Sequence, residues 1–230
     1  MSLFKTVELK CPACGVTTPF DAVHSVNADR RPDLRKEILA NEFQRVQCGG
    51  CGAPFRLDPS FNYIDIQRGQ WIAALPVVEL DNWKLREDAA RRIFGLAWRE
   101  GAGEEAREIG AGLRPRLTFG WPALREKILA REHGLDDVAL EACKAAAMRI
   151  KGDIPLAGDV DLRLVEVGAD RLALSWIRGA DNAMGESFAV PRSLHDSIVA
   201  DASGEWKGFK LDFADALFVD LNRLLVKQPA

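Results

Sequence analysis

Four cysteines set in two matching turns constrain this chain more than any other feature. Cys11-Pro12-Ala13-Cys14-Gly15 and Cys48-Gly49-Gly50-Cys51-Gly52 each place two residues between the sulfurs and a glycine directly after them. Such pairs can bring four thiolates to one tetrahedral ion, the arrangement of a structural zinc. The glycine permits a positive φ, which turns successive backbone amides toward a sulfur. Lys10, Arg45 and Arg56 lie close in sequence and could offset the two excess negative charges of a zinc tetrathiolate. Between Cys14 and Cys48 lie 33 residues, more than the roughly 15–20 of compact ribbons. A helix expected at residues 32–40 accounts for the excess, and loop-closure entropy grows only slowly with length. The competing readings are buried thiols or a redox pair, with His24 as a rival for one ligand position. A redox pair belongs at a helix start in a strand-helix-strand unit, whereas both pairs here fall in expected hairpin turns. Four cysteine ligands leave no open coordination position, so a metal held this way is structural rather than catalytic.

At 230 residues the chain suits one large domain or two to three small ones. Its net charge of −3 is uneven, because residues 158–220 carry 12 acidic against 6 basic residues while 81–151 are nearly balanced. No segment has the basic excess that phosphate binding demands. The first ten residues lack the apolar core of a signal peptide. No apolar run is long enough to span a bilayer. A cytoplasmic protein without a membrane segment is expected, and in that reducing compartment paired cysteines favour metal over disulfide.

The periodicity predicts an α+β chain in three parts. Residues 1–80 read as a zinc-ribbon-like β unit: a strand over 3–10, an inserted short helix opened by Pro32, and short strands at 44–47, 54–57, 63–66 and 71–78. Pro76 makes the last an edge strand or a strand end. Residues 81–151 read as a helical region, with Leu85, Ala89, Ile93 and Ala97 as one apolar stripe joined by Ala90, Phe94 and Trp98. Gly101, Gly103, Gly110 and Gly112 loosen the stretch after it. Pro122 opens a second helix that Gly134 ends, and Asp136 caps a third. Residues 152–230 read as an acidic α+β region: a hairpin over 160–176, a further strand at Phe188 and Val190, a short helix from Pro191, and a closing helix over 214–226.

The segment from Val7 to Pro76, with its first cysteine turn, Ser25-Val26-Asn27-Ala28, Pro32-Asp33-Leu34, Asn41-Glu42-Phe43, the second cysteine turn and Asn62-Tyr63-Ile64-Asp65, resembles the CpXC domain family of bacterial and archaeal proteins. The likeness extends through Phe119-Gly120-Trp121 and Gly134-Leu135-Asp136-Asp137 to about residue 150. The family is named for two Cys-Pro-x-Cys motifs, and this chain has Gly49 where the second would have proline. The resemblance implies the metal site at Cys11, Cys14, Cys48 and Cys51 and carries no established activity.

Three functions follow as expectations. The leading one is a zinc-binding module that recognises another macromolecule, most readily a protein. The second is a nucleic-acid-binding ribbon, stacking bases on Phe20, Phe55, Phe61 and Tyr63 beside Arg45 and Arg56. The third, an enzyme using Asp136, Asp137, Asp212 and Asp215, competes with the reading of these acids as caps and solvated carboxylates. Cys143, on the apolar face of an expected helix, reads as a core thiol, and Ser193, His195 and Asp196 read as a helix start rather than a triad. Six tryptophans read as core or seam fillers.

Overall fold

The computed structural model describes residues 2–151, 160–178 and 182–225. Backbone contacts gather them into two compact units, one running to Leu80 and including Lys84–Trp121, the other holding Asp81–Trp83 and the chain from Pro122 onward. Elements of the expected middle region, 81–151, therefore fall on both sides of the division. The α+β class is as expected, with a β-rich amino-terminal part carrying one inserted short helix.

The first unit is built on a five-stranded sheet. Strands β1 (Leu3–Lys10) and β2 (Thr17–Asn27) form an antiparallel hairpin whose tip holds the first cysteine pair. Helix α1 (Pro32–Leu39) follows, with its proline in the first turn, where the missing amide has no intrahelical partner to lose. It ends at Ala40, and Asn41 takes the left-handed φ of 62° that a residue beyond a helix end often adopts. A separate two-stranded ribbon, β3 (Arg45–Gln47) and β4 (Pro54–Arg56), carries the second pair at its turn. Strands β5 (Phe61–Asp65) and β6 (Gln70–Leu75) return to the main sheet. β6 stops directly before Pro76, so the proline marks a strand end.

Helices α2 (Trp83–Trp98) and α3 (Glu104–Ala111) supply the crossover that a parallel neighbour requires, and β7 (Arg114–Phe119) pairs parallel to β6. The sheet order is β1-β2-β5-β6-β7. Neither β2 nor β7 was expected from periodicity. Val26, Tyr63, Ile72, Ala74 and Leu117 form its fully buried centre. Beside them Phe43, Phe61 and Trp121 make a triangle of rings 5.8–6.2 Å apart.

Two expectations for this unit are corrected. The inward face of α2 is Ala90 and Phe94, the latter against Trp71 at 5.3 Å, while Leu85 and Ile93 of the expected core stripe stay exposed. The glycine-rich stretch is not merely loose, because α3 occupies its middle and Gly110 is a packing residue. A Cβ there would stand 2.2 Å from the Trp98 carbonyl oxygen, closer than any packed pair allows. Gly110→Ala is expected to cost about 1–3 kcal/mol in urea unfolding. Gly112→Ala, whose Cβ would meet only the Ile109 carbonyl at 3.6 Å, should stay within about 0.5 kcal/mol of wild type.

α4 (Gly120–Glu132), which enters the second unit at Pro122, is followed by Gly134 with φ of +67°, and α5 (Asp137–Lys151) starts from an Asp136 carboxylate that accepts the Val138 and Ala139 amides. Strands β8 (Val160–Val167), β9 (Arg171–Arg178) and β10 (Ala183–Pro191) form an antiparallel sheet in the order β10-β9-β8. Helices α6 (Arg192–Ala200) and α7 (Lys207–Asp212) follow. The expected closing helix over 214–226 is not formed as a whole. Only α8 (Asn222–Leu225) is helical, and the expectation for Val226 lies outside the described residues. Ala216, Leu217, Phe218 and Val219 are buried in succession, which an amphipathic helix cannot achieve. Cys143 is wholly buried beside Ala139, Ala142 and Ile198, and burial pushes its thiol up to about 12. It is the core thiol expected.

Candidate metal centre

The two cysteine turns are built alike, hydrogen bond for hydrogen bond. In the first, the Cys11 amide donates to the Val16 carbonyl and the Gly15 amide to the Cys11 carbonyl, both at 2.9 Å. In the second, the Cys48 amide donates to the Ala53 carbonyl at 3.0 Å and the Gly52 amide to the Cys48 carbonyl at 2.9 Å. Gly15 and Gly52 take φ of 74° and 72°, the left-handed backbone anticipated from their position. The Gly50 amide points at the Cys48 sulfur, 3.4 Å away. The two turns also touch, since a Cβ at Gly50 would come within 3.0 Å of a Val16 methyl.

This contact brings the sulfurs of residues 40 positions apart together. Cys11 and Cys51 Sγ are 3.8 Å apart, and Cys14 and Cys48 Sγ 3.6 Å. All four sulfurs lie within 4.8 Å of one another. A zinc–sulfur bond of about 2.3 Å implies edges of about 3.8 Å for a regular tetrahedron, so the set fits a metal. It does not fit disulfides, which need about 2.05 Å between sulfurs. Cys11 and Cys48 are buried while Cys14 and Cys51 face solvent. The amides of Cys51 and Gly50 draw the Cys48 thiol down to about 6. The Val16 amide acts the same way on Cys14, but the sulfur of Cys51, desolvation and the sulfurs of Cys48 and Cys11 outweigh it and push that thiol up to about 12. Sulfurs this crowded ionise together only around a cation.

Not every expected partner joins the site. His24 is an exposed residue of β2 and is absent from the sulfur group. Arg45 donates to the Asn41 carbonyl; Arg56 donates to the Phe43 carbonyl and the Asn41 side chain and stacks 3.9 Å from the centre of the Trp121 ring. These arginines brace the link from α1 to β4. The stacking face drawn for nucleic acid also loses two rings, because Phe61 and Tyr63 are buried in the core. Gly52→Ala is expected to cost about 1–2 kcal/mol through its left-handed backbone, with Gly52→Asn milder. Both are read by thermal unfolding of the metal-loaded protein.

The acids considered for catalysis have structural partners or lie exposed. Asp136 caps α5, Asp137 stands 3.5 Å from buried Lys127, and Asp212 and Asp215 are exposed. A denser group that the sequence did not reveal lies inside the second unit. Glu126 pairs with Lys144 at 2.6 Å and with Arg163 at 3.3 Å, Glu141 pairs with Lys144 at 2.9 Å, and Arg163 binds Asp220. All five are buried. No helix among the described residues is long and apolar enough to cross a membrane.

Two like cysteine turns meeting sulfur to sulfur on a β unit with an inserted helix place four cysteines within metal-binding distance of one another. A family model described as CpXC protein matches residues 9–144, and the chain belongs to the CpXC family. No curated protein and no solved structure matches it.

Proposed function

We propose that Cys11, Cys14, Cys48 and Cys51 hold one zinc ion as a structural staple, and that the protein works in the cytoplasm as a module for binding another protein. The carrying observation is the convergence of four sulfurs within 4.8 Å, a closed set with no position left for substrate or water. An all-thiolate tetrahedron suits zinc or iron–sulfur chemistry, and a staple that serves shape alone calls for the redox-inert ion. The ion fixes two hairpin tips in place, which is a service to shape rather than to catalysis. The reading is tested by in-cell crosslinking of the full chain with identification of the crosslinked residues. A reproducible protein partner attached at defined positions is expected; no reproducible partner, or crosslinks to nucleic acid alone, would overturn it.

A further inference from the structure

The four sulfurs are not equivalent. Cys14 and Cys51 face solvent, whereas Cys11 and Cys48 are each only 3% exposed. Open space surrounds the turns that carry the exposed pair, since a Cβ built on Gly15, Gly49 or Gly52 would meet nothing within 4 Å. Each exposed sulfur has a buried one of the opposite turn beside it: Cys14 stands 3.6 Å from Cys48, and Cys51 stands 3.8 Å from Cys11. A small oxidant thus meets one member of each pair with the second already in place behind it. Closure of about 1.6–1.8 Å would bring either pair to the 2.05 Å of a disulfide, a distance that side-chain rotation covers while the backbone bonds of both turns stay made. Metal ligands are held as thiolates, the nucleophilic form of the residue. Oxidation follows thiolate character and exposure, and a sulfenic acid condenses with a neighbouring thiol.

We infer that Cys14 and Cys51 are reaction sites for hydrogen peroxide, and that Cys48 and Cys11 resolve them into two disulfides running from turn to turn. The Cys14 thiolate attacks one peroxide oxygen, the O–O bond breaks and hydroxide leaves, so Cys14 becomes a sulfenic acid. The Cys48 thiolate then attacks that sulfur, forming the S–S bond and expelling a second hydroxide. Two electrons pass from the sulfur pair to the peroxide, and Cys51 with Cys11 consumes a second peroxide in the same way. Each disulfide withdraws two of the four donors, so the ion is released. Because both bonds span the turns, a covalent staple takes its place and the hairpin tips stay joined. A dithiol reductant restores the thiolates, in keeping with the transient, redox-sensing disulfides of reducing compartments. The inference rests on the structural-ion reading and adds a reactivity to the same site.

The test uses the full chain, its zinc content measured first. Hydrogen peroxide should release the zinc to a chromogenic chelator with two peroxides consumed per ion, and non-reducing peptide mapping should find Cys14 joined to Cys48 and Cys11 joined to Cys51. Dimedone, which traps sulfenic acid, should label Cys14 and Cys51 about tenfold or more above Cys11 and Cys48. Proteolysis at the hairpin tips should be about tenfold or more slower in the oxidised protein than in reduced protein stripped by a chelator, and dithiothreitol with zinc should restore the starting metal content. Disulfides within one turn, labelling chiefly at the buried pair, or zinc retained against about a hundredfold excess of peroxide would overturn the inference while leaving the structural-ion reading standing. A protein that holds no zinc and takes none up would overturn that reading, and the inference with it.

Discussion

Cys48→Ser is expected to lower the apparent melting temperature of the first unit by about 10 °C or more and to abolish metal retention. The proposed ion would join residues 40 positions apart, and a cross-link closing a loop of that size restricts the unfolded chain by about 4 kcal/mol. Serine cannot replace the thiolate, so that restriction is lost. The damage should be local. Val26, Tyr63, Ile72 and Leu117 are buried without the sulfurs, whereas most of β1 is exposed and the β3–β4 ribbon pairs only with itself. Hydrogen exchange should therefore accelerate at residues 5–20 and 45–56 and change little in β5, β6 and β7. Cys143→Ala, a core truncation with no role at the metal, should leave metal content intact. Uniform exchange across the unit after Cys48→Ser would show that the ion supports the whole sheet rather than its tips.

Arg163→Met should destabilise the second unit by about 3–5 kcal/mol, because it strips buried Asp220 of the guanidinium that binds it and leaves Glu126 with Lys144 alone. The same change at Arg31, whose pair with Asp33 is about half exposed on both sides, should fall within about 0.5 kcal/mol of wild type. Chemical denaturation at neutral pH measures both. Equal effects would mean that the buried charges are relaxed by water. The network reaches far along the chain: the Glu126 carboxylate accepts the Leu164 amide of β8 and Glu141 accepts the Leu221 amide. It thus ties two helices to a strand and to the buried 216–220 segment.

Acid should act on this network in a defined direction. Burial alone would raise the Asp220 carboxyl, but Arg163 and Lys144, with hydrogen bonds from Arg163 and the Asn222 amide, hold it at about 2, against about 3.9 in the unfolded chain. A folded value below the unfolded one contributes stability that is complete above about pH 4 and is lost as pH falls toward 2. Glu141 works oppositely, since burial raises it in spite of Lys144 and Lys127, so its ionisation opposes folding as pH rises through its folded value. Comparing wild type with Asp220→Asn across pH 2–5 isolates the first effect: the difference in stability should shrink as acid is added.

The metal-site geometry was legible because it is local. Two residues between sulfurs and a following glycine specify each turn, and Gly15 and Gly52 adopt the backbone their positions demanded. The meeting of the turns was legible only as a possibility, since it depends on Val16 touching Gly50. Strand β2 escaped notice because Pro19, Asp21 and His24 interrupt its apolar alternation, and its pairing with β1 makes it a strand. β7 is defined by its parallel neighbour β6, which local pattern does not encode. The apolar face read on α2 was too broad: Ala90 and Phe94, which it included, are buried, while Leu85 and Ile93 stay exposed. The buried ion network was illegible since Glu126, Glu141, Lys144, Arg163 and Asp220 look like ordinary solvated charges until the fold gathers them.

Elemental analysis of the purified full chain, joined to X-ray absorption at the metal edge, probes the shared-ion geometry most directly. The expected result is one zinc per chain in a shell of four sulfurs at about 2.3 Å, with chelation exposing four thiols together. A metal-free protein whose thiols react one by one, or a shell containing a nitrogen ligand such as His24, would contradict it.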